Sequence, residues 1–144
     1  MDLYYIKERL DCTEEEKLAC MTMVQWIVKM WKVAATDGFL GLQDEVIASV
    51  YYHEHMLLQV VIPLLDSFAK PQSFRSILEG YIVLEDIKGR ELLEALIILE
   101  GFCGIAERKH KGEILETIGL YFGIRFRKQF YDLLIPEFLV EKFF

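Results

Sequence analysis

Between Glu14 and Thr36 the polar residues beyond the first turn are Thr22, Gln25, Lys29, Lys32 and Thr36, spaced alternately three and four apart. The residues between them are almost all apolar, including Met21, Met23, Val24, Trp26, Ile27, Val28, Met30, Trp31 and Val33. One narrow polar stripe at helical period predicts a helix covered by neighbours over most of its circumference. Thr13 and Glu16 mark its start as a capping box, in which each side chain satisfies an otherwise orphaned backbone N–H. Asp37-Gly38 marks its end, because glycine accepts a left-handed cap without a Cβ clash.

A second, amphipathic helix is predicted from Gln43 to Leu58, with Val46, Val50 and Leu57 on one face beside Ile47 and Tyr51. Pro63 and Pro71 punctuate a less regular stretch after it; Pro63 is suited to open a short helix, and Ser73 to cap another ending near Glu79. Tyr81 to Ile87 contains the strand-forming pair Ile82-Val83, but the chain offers no second strand to pair with it, so it reads as helix or loop. Arg90 to Glu107 is a second nearly all-apolar helix, with Gly101 and Gly104 placed to let a neighbouring backbone approach. Glu113 to Phe122 is amphipathic and closes at Gly123, and Arg125 to Leu134 forms a last helix stopped by Pro136. The expectation is an all-α, single-domain bundle of six or seven helices over residues 1–144, with Trp26, Ile27, Trp31, Leu96, Leu99 and Ile105 in its core.

The two halves share a unit. An apolar helix ending Ala34-Ala35-Thr36-Asp37-Gly38 leads to acidic Asp44-Glu45 and a helix; in the later half Ile105-Ala106-Glu107-Arg108 leads to Glu113 and a helix. Asp37 and Glu107 are 70 residues apart. Each unit is too small to bury its own face, so two copies would pack with a pseudo-twofold relation. These residues resemble the TerB-like tellurite-resistance family, whose domain carries a pattern like A-D-G-x-x-x-x-x-E twice. The matches are Ala35-Thr36-Asp37-Gly38 with Asp44 or Glu45, and Ala106-Glu107 with Glu113 and Phe122-Gly123-Ile124. The first copy has an extra residue before Asp37, and the second carries Glu107 and Arg108 where the family often has Asp and Gly. The resemblance spans Lys17 to Ile124 and implies an all-helical fold, a stress-response role, acidic residues that bind a divalent cation, and no established catalytic activity.

Charge and cysteine content narrow the function classes. The chain carries a formal charge of -7, with 53% hydrophobic and 27% charged residues, a balance that suits a folded, soluble domain. Its densest basic patch is Arg125, Arg127 and Lys128, too small for the phosphate contacts of specific nucleic-acid binding. Three cysteines without a CxxC pair, and a Met1–Leu10 segment lacking the layout of a secretion signal, point to the cytoplasm. Glu94 and Glu100 interrupt the most apolar stretch, so membrane insertion is not expected.

Asp37, Asp44 and Glu45 are the candidate metal ligands, since carboxylates near helix junctions are hard oxygen donors of the kind calcium collects in sets of about six to eight. The plainer reading makes Asp37 the end of one helix and the other two the first turn of the next, where negative charge favours the helix dipole. No Lys or Arg lies between Thr36 and Tyr51, whereas Arg108, Lys109 and Lys111 crowd the second copy, so a cation site is expected in the first half. The imidazoles of His53 and His55, two apart on a helix, point away from each other, and Glu107-Arg108-Lys109-His110 is one E-x-x-H where di-iron bundles need two. With no nucleophile elbow or P-loop, no catalytic residue is assigned. Tyr51-Tyr52 and the terminal Phe138, Phe143 and Phe144 are candidates for the core, a protein partner or a second subunit. Two readings remain: a non-enzymatic TerB-like binding or scaffold module, and a metal-dependent hydrolase or redox protein. The second requires acids and a histidine converging in one pocket; the first has them dispersed.

Overall fold

The structure, a computed structural model, describes residues 1–66 and 70–142, with side chains as far as Leu134. The described residues are all-α. The helices are α1 (Leu3–Arg9), α2 (Glu14–Ala48), α3 (Val50–Glu54), α4 (Met56–Asp66), α5 (Pro71–Leu84), α6 (Gly89–Ala106), α7 (Lys111–Leu120) and α8 (Arg127–Lys142), with a 3-10 turn at Ile124–Phe126. No strand forms among them, so Ile82-Val83 is helical, and no helix is long and apolar enough to cross a membrane.

The Thr13–Glu16 capping box is present, with both reciprocal hydrogen bonds at 2.9 and 3.1 Å. The two apolar helices take the central places, and α2 on α6 is the widest helix–helix interface. Helices α4, α5 and α7 also pack on α6, while α8 packs on α2. Gly101 and Gly104 lie at close approaches, but to side chains of two different helices rather than to one backbone. A Cβ at Gly101 would fall 2.7 Å from Cδ1 of Ile27 on α2, and one at Gly104 would fall 2.5 Å from Cγ1 of Ile114 on α7.

Ile27, Leu96, Leu99 and Ile105 are buried as expected, whereas Trp26 and Trp31 are only half-buried. Trp26 borders the polar stripe and rests on Tyr51 and Phe102, with ring centroids 4.7 and 5.8 Å away. Trp31 lies against the α6–α7 turn, where its Nε1–H donates to the Lys109 carbonyl at 3.1 Å.

Element boundaries differ where the backbone found a different way to turn. Asp37-Gly38 does break the first helix, with Gly38 at φ 73° and ψ -172°, a region open essentially to glycine alone. No loop intervenes, however, and helix resumes at once to Ala48. The expected Gln43–Leu58 helix is instead divided at Ser49 and His55, both in extended conformations. Pro63 lies inside α4, where the donor it lacks would have met the Gln59 carbonyl in the first turn of the helix. Pro71 rather than Ser73 opens α5, which runs past Glu79 to Leu84. Nor does Pro136 stop α8, whose backbone continues to Lys142. Helix α1 was not foreseen; Tyr5 and Arg9 tie it to the end of α5, through the Val83 carbonyl at 3.3 Å and Asp86 at 3.0 Å. The side chain of Phe138, and Phe143 and Phe144 altogether, lie outside the described residues.

The two repeat units agree in one backbone feature. Gly38 and Arg108, 70 residues apart, both have positive φ, 73° and 58°. Around Arg108 the chain closes a Schellman cap, with Lys109 N–H donating to Gly104 O at 2.9 Å and Arg108 N–H to Ile105 O at 3.0 Å.

These contacts and caps set two stability outcomes. In urea unfolding, Gly104→Ala is expected to lose about 1–3 kcal/mol by overpacking against Ile114, outweighing the gain of about 1 kcal/mol in helix propensity. The loss should shrink in an Ile114→Ala background; equal losses in both backgrounds would place the strain elsewhere. Arg108→Gly should raise stability by about 0.5–1 kcal/mol, because glycine occupies the left-handed position without a Cβ penalty. A melting temperature at or below that of the parent would contradict this.

Candidate functional site

Asp37, Asp44 and Glu45 are all exposed. Asp37 folds back over the next turn, its Cβ 2.6 Å from where a Cβ of Gly41 would lie. Asp44 and Glu45 sit well inside the resumed helix rather than in a first turn, so the helix dipole does not favour their charge there. Among the described residues no group of three or more His, Cys, Asp or Glu side chains is placed to hold a metal ion.

The histidines divide as their spacing requires. His53 is exposed beside Tyr52, with ring centroids 5.3 Å apart. His55 caps α3 and turns inward, its Nδ1 3.3 Å from Glu94, which also accepts from Arg90 Nε at 2.9 Å. His110 caps α7 by accepting from Gly112 N–H at 3.2 Å, and Glu107 pairs with Lys109 at 3.1 Å and Arg75 at 3.6 Å. The single E-x-x-H is thus spent on caps and ion pairs. Arg127 and Lys128 are likewise committed, to Glu116 and Asp132 at 2.6 and 3.0 Å, which removes most of the basic patch.

One concavity was not foreseen. It is an open groove of about 450 Å³ where α4 meets α5 and α6. Leu57, Val60, Ala95 and Ile98 form its apolar floor; Met56 and Tyr81, 79% and 49% exposed, stand beside it with the half-buried Ile87. Its acidic members are Glu54, Glu85 and Glu91, from α3, the C-cap of α5 and the first turn of α6. All three are exposed, and no Lys or Arg lines the groove. The sequence carried one usable signal for it. Helix α5 is apolar on two faces: Phe74, Leu78 and Ile82 are buried, while Ile77, Tyr81 and Leu84, again at helical spacing, remain exposed.

A smaller cleft of about 150 Å³ adjoins the groove, bounded by Cys20, Tyr51, Glu54, His55, Arg90 and Glu94. His55 and Glu54 stand on the border of both. Burial pushes the Cys20 thiol up to about 12, so it is protonated at neutral pH and is a poor nucleophile.

On the other side of α6, Glu100 is 7% exposed and fully partnered. Arg75 donates two hydrogen bonds to it at 2.9 and 3.3 Å, and the Tyr121 hydroxyl donates at 3.5 Å. A buried carboxylate held in this way ties α5 and α7 to α6. Comparison of the chain with protein-family models, with curated proteins and with solved structures finds no match.

Burial also sets an alkaline limit on stability. It raises the Cys20 and Cys103 thiols and the Tyr121 and Tyr131 hydroxyls to about 12. The unfolded chain releases these protons near pH 8.5 for Cys and 10 for Tyr, while the folded chain retains them. Their contribution is therefore complete below pH 8.5 and lost as pH climbs to about 12. Urea midpoints are expected to fall over that window, less steeply in Cys20→Ala/Cys103→Ala; a flat profile would show these groups to be solvated.

Proposed function

We propose that this protein is a non-enzymatic binding module that takes a helical segment of another protein into the groove between α4, α5 and α6. The observation that carries this reading is the apolar lining of half-buried Leu57 and Val60 over buried Ala95 and Ile98, with Met56 and Tyr81 exposed beside it. Met adapts its shape to irregular partners, and Tyr is at home in interface cores. A groove of this kind accepts the apolar edge of an amphipathic helix through anchors at i, i+3 or i+4, and i+7. The resemblance to TerB-like proteins adds the wider setting, a scaffold in a stress response. Asp37, Asp44 and Glu45 have no cation role in this reading, since their side chains are exposed and not gathered with others into a metal-holding group.

The hydrolytic alternative has one observation in its favour, the meeting of His55, Glu54 and Glu94 at the small cleft. Against it, Glu94 is already engaged by both His55 and Arg90, and the neighbouring Cys20 thiol is held protonated.

The test is an NMR titration of the isotope-labelled protein with a neutral amphipathic helical peptide, Leu on one face and Gln on the other. Amide shifts should concentrate on α4, the end of α5 and the start of α6. Met56→Ser/Tyr81→Ser, both at exposed positions, should weaken binding about fivefold or more, as for loss of an interface anchor. Absence of any groove shift would refute the reading.

A further inference from the structure

The acids around the groove differ from their neighbours in what they touch. Close by in the fold, Asp86 pairs with Arg9 and Lys88, and Glu94 with Arg90 and His55. Glu54, Glu85 and Glu91 form no ion pair among the described residues. They come from three separate elements and share the margin of one apolar groove that no Lys or Arg lines.

We infer that the occupant is a cationic amphipathic helix: an apolar edge seated on Met56, Leu57 and Val60, flanked by Lys or Arg facing Glu54, Glu85 and Glu91. This rests on the groove being a helix-binding site. Charge complementarity at the margin of an apolar patch steers encounter and selects partners more than it adds raw affinity. It also disfavours a second copy of this chain, because each copy carries a net charge of -7 and would bring its own acids against these three. An anionic membrane surface is disfavoured on the same ground.

The experiment uses three synthetic helical peptides with the same Leu face, flanked by Lys, Gln or Glu, titrated into the labelled chain of residues 1–144 at low and at raised salt. The Lys peptide should bind about tenfold more tightly than the Gln peptide, as three exposed ion pairs would give, and the Glu peptide least tightly. Salt should erode the Lys advantage. Glu54→Gln/Glu85→Gln/Glu91→Gln, at exposed positions, should abolish it, so that the variant binds the Lys and Gln peptides equally. Equal binding of the Lys and Gln peptides would overturn the cationic occupant but leave the groove as a helix site. Binding of none would overturn both. Concentration-dependent dimerisation that shifts the groove resonances would assign the groove to a second copy and overturn the inference.

Discussion

The close packing of α2 on α6 is the constraint on which the rest of the bundle depends. Each helix is apolar around most of its circumference, so neither can be stable until other helices surround it. Their approach depends on a missing side chain, since Ile27 fills the space that a Cβ on Gly101 would take. Gly104 repeats the device one turn on, admitting Ile114 of α7. Interiors packed to this density tolerate little change in volume, so these two contacts set where α2 and α7 sit on α6.

Polar groups then secure the shell around that pair. Glu100 is the one acidic residue among the buried described positions, and Arg75 and Tyr121 reach it from α5 and the end of α7. Gln25, from the polar stripe of α2, donates to the Leu133 carbonyl of α8 at 3.2 Å. Trp31 closes the α6–α7 turn in the same way, through the Lys109 carbonyl. Such bonds are worth little individually in net terms, yet each would leave a polar group stranded if its partner were lost, and this asymmetry selects one arrangement of helices.

The groove arises from how the chain turns. Breaks at Ser49 and His55 replace one long amphipathic helix with α3 and α4, and His55 is held to α6 by Glu94. The chain thereby reaches α4 with Met56 outward and Leu58 and Val61 inward, and the space beside α5 is left uncovered among the described residues. Glu54 lies far in sequence from Glu85 and Glu91, which flank the α5–α6 turn, and the turns after α3 and α5 bring all three to one groove.

The sequence alone specifies the helical class, the two central helices, the Thr13–Glu16 cap and the break at Gly38. These depend on periodicity and local backbone chemistry, which a few neighbouring residues express completely. It did not determine that the helix would resume directly after Gly38, or that Pro63 and Pro136 would lie within helices. There the cost of a lost donor is weighed against packing that only the assembled bundle supplies. The half-burial of Trp26 and Trp31 is likewise a tertiary outcome, because a wheel projection gives a direction but not how far the neighbouring helix extends. The candidate site was the least legible part. Asp37, Asp44 and Glu45 are close in sequence yet form no metal-holding group, while Glu54 reaches the same groove as Glu85 and Glu91 across the intervening α4 and α5, because only chain reversal brings remote residues to a common edge.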